Sequence, residues 1–355
     1  MKLRRLFTEF ELGEDMGKTV ISIKGDMFLI NNKPTYEGKM WQGRKIEGLL
    51  LNSRMVQGVF DDLNPETANL WIYPDTGKWD PERNTQEFLD AMPDWRSYGL
   101  LCFNINLQGG SPEGYSKDQP WHNSALTADG TLRPDYMNRL EKIMDRADEL
   151  GMVVNLGIFY FGQDQRLLNE SAIIRALDNT IDWVTDHQYQ HVLLEINNEC
   201  DIRYSHQILQ PERVHELISY TIERTEKSGR LLVSTSYGGG TVAKPNVVQV
   251  ADYVLMHGNG VKNPNRISQM VDEVRQLSVY TPKPIMINED DHFDFGQPHN
   301  NMSAAINSYC SWGYFDPGLN DYENGFQSVP TQWKINTPLK KSFFEKVREV
   351  SGTKM

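Results

Sequence analysis

Apolar positions in this chain follow two rhythms that take turns. Short runs that are continuously apolar, or apolar at every second residue, predict strands; segments with apolar positions three and four apart predict amphipathic helices. From about residue 80 the two kinds alternate. Helix-like "NTQEFLDAMPDWRSY" precedes the strand "GLLCFNINLQGG" (99–110). "RPDYMNRLEKIMDRADELG", with Gly151 as its stop, leads into "MVVNLGIFYF" (152–161). A helix from Asn169 to about Asp186 precedes "HVLLEINN", and "PERVHELISYTIERTEKSG" precedes "RLLVSTSYGGG". "ADYVLMHGNG" is then the sixth strand, "KPIMINED" the seventh and "SWGYFD" the eighth, with helices between them and "TPLKKSFFEKVREV" as the last helix.

That count takes "PTYEGKM" as the first strand. Upstream of it, "TVISI" and "MFLIN" joined by "KGD" predict a β-hairpin at about residues 18–33. Eight strands alternating with helices form a parallel sheet. A doubly wound open sheet gives the same alternation, but eight units closing on themselves make a (β/α)8 barrel, and the count favours it. Residues 1–355 are expected to be one catalytic barrel, since no segment has the composition of a linker. The long irregular stretches 41–79, 109–133 and 317–337 all follow predicted strands, which in a barrel places them at the C-terminal mouth, where active sites sit.

Composition narrows the function classes. The formal net charge is -12, and the basic runs "KLRR" and "PLKK" are too short to neutralise a duplex backbone, so no nucleic-acid partner is expected. No stretch reaches the ~20 apolar residues needed to span a bilayer. Glu9, Glu11, Glu14 and Asp15 interrupt any signal-like apolar core near the N-terminus, so no membrane partner is expected and a cytoplasmic location is favoured, the alternative being secretion with a trimmed signal. Cys102, Cys200 and Cys310 are odd in number and widely spaced, which suits buried free thiols better than disulfides or zinc. Cys200 in particular is read as a packed, inert thiol.

Candidate chemistry lies at the strand ends. Asn-Glu occurs at 169–170, 198–199 and 288–289. The first opens a helix and reads as an N-cap; the other two end the fourth and seventh strands. Glu199 and Glu289 would then face each other across one mouth, and two facing carboxylates are what glycoside cleavage requires. On the second strand Asn104, Asn106 and Gln108 alternate and so point the same way, toward sugar hydroxyls or toward neighbouring strands. His257 ends the sixth strand, as a site residue or a satisfied core group. Trp312 is a floor for a sugar's apolar face or a core residue beneath the eighth strand. Trp41, Arg54, Tyr160 and Trp121, on loops or strand ends, are further candidates for substrate contact.

"LLEINNE" resembles the fourth-strand signature of clan A glycoside hydrolases, in particular the family 5 cellulase-like pattern aromatic-Glu-Ile/Leu-x-Asn-Glu. "KPIMINE" is similar to the seventh-strand segment that carries the nucleophile, and "MFLINNKPTYEGKM" to the hairpin and turn leading into the barrel. The resemblance implies a retaining β-glycosidase that uses no cofactor and acts on a small oligosaccharide or glycoside. It makes Glu199 the acid/base, Glu289 the nucleophile and Asn198 the partner of the sugar 2-hydroxyl, with the carboxyl groups about 5 to 5.5 Å apart. The acid/base needs a raised pKa and the nucleophile must stay ionised. The chain departs from family 5 in three places: Asn104 where an Arg is usual on the second strand, "IFYFGQD" where a His is usual on or after the third, and Cys200 where a Pro is usual after the catalytic Asn-Glu.

Two other readings remain. Asp290, Asp291, His292 and Asp294 follow the seventh strand and could hold a divalent ion in a metal-dependent barrel isomerase or hydrolase. Contiguous residues rarely converge on one ion, and no HxH pair occurs elsewhere, so no metal ligand is assigned. The other is a barrel that binds sugar without cleaving it. Neither the oligomeric state nor the sugar can be read from the sequence.

Overall fold

The computed structural model describes residues 19–116, 118–227, 229–317 and 325–354. The basic run "KLRR", the acidic residues up to Asp15 and part of the expected third loop lie outside this set. Eight parallel strands run in chain order around the molecule: β1 (Asn52–Arg54), β2 (Cys102–Asn106), β3 (Val153–Tyr160), β4 (Val192–Asn198), β5 (Leu232–Ser234), β6 (Val254–His257), β7 (Ile285–Glu289) and β8 (Gly313–Tyr314). Hydrogen-bonded ladders join β5-β4-β3-β2-β1-β8 and β6-β7. Bridges Met286–Ser311 and Asp290–Tyr314 link β7 to β8, and the Asp252 N–H donates to Val233 O between β5 and β6. Together these close a (β/α)8 barrel.

An α-helix follows each strand: α1 (Pro81–Ser97), α2 (Pro134–Glu149), α3 (Glu170–Asp186), α4 (Val214–Thr225), α5 (Pro245–Val250), α6 (Pro264–Gln276), α7 (Asn301–Asn307) and α8 (Pro338–Ser351). Five of them carry Pro in the first turn, where its missing N–H costs nothing. Asn169 caps α3 as expected, accepting from the Ala172 N–H. No described helix is long and apolar enough to cross a membrane.

The first barrel strand is not "PTYEGKM". Lys33 and Pro34 add a third strand to the N-terminal hairpin (Ile21–Lys24 with Met27–Ile30), and the strand that pairs with β2 and β8 is Asn52–Arg54. The physical reason is burial. "LLLNSR" is buried throughout, whereas Glu37, Gly38, Lys39 and Met40 are exposed. The hairpin plugs the base of the barrel, where Ile21 and Phe28 pack against Leu50, Cys102, Val153, Leu193, Leu255 and Met286.

Two residues further along, each of five strands sends a polar side chain into the same interior: Asn52, Asn104, Asn155, Glu195 and Asn288, all buried. A polar layer therefore lies between the apolar base and the mouth. Buried polar groups must pair with one another, and these do. Asn104 Nδ2 donates to Asn52 Oδ1, while Asn155 Nδ2 donates to Asn104 Oδ1 and to Glu195 Oε2.

Candidate active site

Arg54, Asn106, Tyr160, Asn198, His257 and Glu289 are the last residues of β1, β2, β3, β4, β6 and β7. Strand direction alone therefore brings them to one rim, and Glu199 lies one residue beyond β4. Five of these residues, Arg54, Asn198, Glu199, His257 and Glu289, meet through their side chains.

Glu199 and Glu289 meet at His257. Its Nδ1 lies 2.9 Å from Glu199 Oε1 and 3.6 Å from Glu289 Oε2. The ligating atoms of all three residues fall within 4.8 Å of one another. Arg54 Nη1 lies 3.0 Å from Glu289 Oε2 and donates to Asn198 Oδ1 at 3.2 Å. The rings of Tyr160 and Phe315 flank the guanidinium at 6.0 and 5.8 Å. Asn259 Nδ2 donates to Glu289 Oε1 at 2.6 Å. Glu289 Oε2, by contrast, is buried and accepts no hydrogen bond from any described residue.

Burial and charge set the protonation of the group. Arg54 is pushed upward, because Glu289 and its neighbours outweigh the burial that opposes its charge. For His257, burial disfavours the cation, but Glu289 and Glu199 overcome it and raise the imidazole to about 9. Burial pushes Glu199 up, but the hydrogen bond and charge of His257, followed by Arg54, bring it below the usual range. Glu289 is raised by full burial and the Glu199 charge, against Arg54 and His257. These directions run opposite to those expected for an acid/base and a nucleophile. The two carboxylates thus favour the protonated form of the imidazole between them.

Glu199 adopts a left-handed backbone, φ 51°, which is strained for a residue with a side chain. Two contacts hold this turn: its N–H donates to Ser236 Oγ at 2.9 Å, and the Cys200 N–H donates to Ser236 O. The Tyr204 hydroxyl anchors the preceding residue through Asn198 O at 2.6 Å. Over the mouth, the Tyr115 hydroxyl donates to Asp291 Oδ2 at 2.7 Å, carrying the loop after β2 across to the loop after β7.

Several expected contacts lie elsewhere. Trp41 is at the base, where its Nε1 donates to Glu349 near the end of α8. Trp121 packs with Phe60, Trp71 and Val329 in an aromatic cluster of the loops. Trp312 is fully buried, its Nε1 donating to Asp290 Oδ2 and its ring against Phe295 and Phe343, so it is a core residue and no sugar floor. Asn104 belongs to the interior polar layer. Gln108 is spent on backbone groups of Tyr160 and Gln163. Asn106 is buried against Gly157, where an added Cβ would come within 2.3 Å of its Oδ1.

In the acidic segment after Glu289, Asp290, Asp291 and His292 bring ligand atoms within 4.8 Å of one another, and the two aspartates also take protein donors. Asp290 accepts from Trp312, Asn301 and the His292 N–H, and Asp291 from Tyr115 and the Gly260 N–H. Cys200 is buried beside Glu199, with its thiol pushed far above the usual range by burial.

The sequence reading passed over Asn259, Ser236, Glu195, Tyr115 and Phe315. Asn259 lies two residues past His257 in "MHGN", so the strand-end argument that found His257 could have found it. Tyr115 and Phe315 lie on loops whose course only the fold defines. Arg54 on β1 brings a guanidinium against Glu289.

No protein-family model matches the sequence, and no curated protein matches it. Solved structures do match. A glycoside hydrolase family 5 protein from Bacteroides vulgatus ATCC 8482 superposes with TM-score 0.57 at 13% identity, over 94% of this chain and 70% of its own. The endo-1,4-beta-mannanase from Rhizomucor miehei does so with TM-score 0.59 at 10% identity, over 94% of this chain and 100% of its own. A candidate glycoside hydrolase from Bacteroides vulgatus ATCC 8482 gives TM-score 0.55 at 13% identity; the match covers 95% of this chain but only 61% of that longer protein. At such identities the likeness is one of fold, the (β/α)8 barrel.

Proposed function

We propose that this protein is a retaining β-glycosidase, with Glu289 as nucleophile and Glu199 as acid/base. The observation that carries the reading is the meeting of two strand-end glutamates, with oxygens within 4.8 Å, around one imidazole at the barrel mouth. That spacing fits direct attack by a carboxylate. An inverting enzyme needs about 6.5–9.5 Å between carboxyl groups to admit a water.

Each residue then has a task. Asn259 holds Glu289 Oε1, which leaves Oε2, unencumbered by hydrogen bonds, to attack the anomeric carbon. Arg54 lies against the same oxygen and keeps it anionic as substrate excludes water. Because Arg54 also takes Asn198 Oδ1, the Asn198 amide nitrogen is left to donate to the sugar 2-hydroxyl. Glu199 protonates the leaving oxygen, drawing on the proton that His257 Nδ1 holds 2.9 Å away. In the second half-reaction Glu199 accepts a proton from water, which releases the sugar from Glu289.

Structural neighbours that include an endo-1,4-beta-mannanase and a broad-specificity endoglucanase direct the first tests to β-mannosides and β-glucosides. Turnover of aryl β-glycosides and β-linked oligosaccharides is measured for wild type and Glu289→Ala, each with and without EDTA. The expected result is turnover that EDTA leaves unchanged and Glu289→Ala abolishes. Activity retained in the variant would remove Glu289 as nucleophile. Binding without turnover across the panel would favour a sugar-binding barrel.

A further inference from the structure

A third buried carboxylate lies beneath the catalytic pair and has no part in the chemistry above. Glu195 is 1% exposed, in the polar layer four residues before Glu199. Three donors, from β3, from β7 and from just past β5, converge on it. Ser236 Oγ donates to Oε1 at 2.5 Å, and Asn155 Nδ2 and Asn288 Nδ2 both donate to Oε2 at 3.1 Å. An acid that receives three donors and makes no donation is bonded as an ionised carboxylate.

Two of the donors lead straight to the catalytic residues. Ser236 has one hydroxyl proton. Since it goes to Glu195, the oxygen is left as an acceptor for the Glu199 N–H, at 2.9 Å. That bond holds Glu199 in its left-handed turn, φ 51°. On the other side Asn288 directly precedes Glu289, and its amide is tied to Glu195 and to Asn104 Oδ1. Asn104 in turn donates to Asn288 O at 3.3 Å. Asn155 is braced by the Tyr253 hydroxyl, at 3.1 Å from its Oδ1. One carboxylate thus fixes the hydrogen-bond polarity of the barrel interior under both glutamates.

We propose that Glu195 is a positioning residue: through Ser236 and Asn288 it aims Glu199 and Glu289 at the two ends of the same glycosidic bond, the leaving oxygen and the anomeric carbon. The isosteric amide cannot replace it. In Glu195→Gln one carboxylate oxygen becomes an NH2 group. Facing Asn155 and Asn288, that group meets two other donors. Facing Ser236, it donates to the hydroxyl oxygen and competes with the Glu199 N–H. The first placement sets donors against donors, and the second reverses the Ser236 bond and frees its hydroxyl proton from residue 195, both without changing side-chain volume.

For its kinetics the proposal rests on the glycosidase reading, so the test includes a measurement that needs no turnover. Glu195→Gln is compared with wild type for kcat and KM on an aryl β-glycoside, and for hydrogen exchange at the Glu199 amide by NMR. The expected result is a folded variant with kcat down about 10²-fold, as a misplacement near 1 Å produces. KM should stay within a few-fold, and the Glu199 amide should exchange faster. Wild-type kcat together with a wild-type exchange rate would overturn the proposal, as would a loss of kcat with the Glu199 amide unchanged. If Glu195→Gln does not fold, Ser236→Ala breaks the same chain without touching the acid, and wild-type kcat in that variant would overturn the idea. If wild type cleaves no glycoside in the panel, the glycosidase reading fails, and amide exchange alone then decides the role of Glu195.

Discussion

His257 shows how much chemistry one residue inherits from its place. Taken alone, a histidine ending an apolar strand could be a satisfied core group. Here its Nδ1 lies 2.9 and 3.6 Å from two carboxylates, and their charge, overcoming burial, raises it to about 9. The imidazole is therefore charged below about pH 9 and loses its proton above it. His257→Asn keeps a short polar group but cannot hold the proton. It should lower kcat by roughly 10²–10⁴-fold, the usual worth of a positioned proton donor, and remove the alkaline limb of the kcat/KM profile. A pH–rate series on an aryl β-glycoside checks this; an unaltered alkaline limb would remove His257 from the proton path. Arg54 makes the related point that a side chain's identity could be read in the sequence while its partners could not. The alternation identified it only as a strand-end or loop residue, and its partners Glu289 and Asn198 lie 235 and 144 positions away.

At the scale of the element, periodicity and caps were the most legible features. Strands two to eight and the capped helix after Asn169 follow directly from apolar period and N-cap chemistry. The first strand did not, because "LLLNSR" is short and lies inside a long stretch with no helix next to it. Its true place is defined by pairing with β2 and β8. Element joints yield a further prediction. Gly130 turns the chain into α2 with φ +90°, and an added Cβ would lie 2.2 Å from the Ala172 carbonyl oxygen on α3. Gly130→Ala combines that clash with a left-handed backbone, and should destabilise the fold by more than about 1 kcal/mol, read as a lower denaturation midpoint with unchanged kcat.

For the whole molecule, pH stability offers a test remote from the site. His191 is buried at the base of β4 with Asp148 Oδ1 3.8 Å from its Nδ1, and burial outweighs that charge to lower it from 6.5 to about 4. A depressed folded value means that the unfolded chain takes up the proton first. The stability owed to a neutral His191 is thus complete above pH 6.5 and is lost as pH falls through about 4. Wild type minus His191→Gln should show a stability difference that shrinks over that window, on the order of 2–3 kcal/mol in total. Chemical denaturation at pH 7, 5.5 and 4 would measure it, and a pH-independent difference would refute it.

The sequence by itself determined the alternation of strand and helix from the second barrel strand onward, and the presence of Glu199, His257 and Glu289 at strand ends. These are local properties, written in apolar period and in where polar residues interrupt it. Tertiary structure decided the rest: Trp312 and Trp41 as packing residues, Arg54 and Asn259 as partners of the nucleophile, and Glu195 as the centre of a polar layer. The physical reason is closure of the barrel. Residues two apart on every strand point inward together, so each interior side chain finds its partners on strands remote in sequence. Those partners then set whether it packs, pairs or holds a proton.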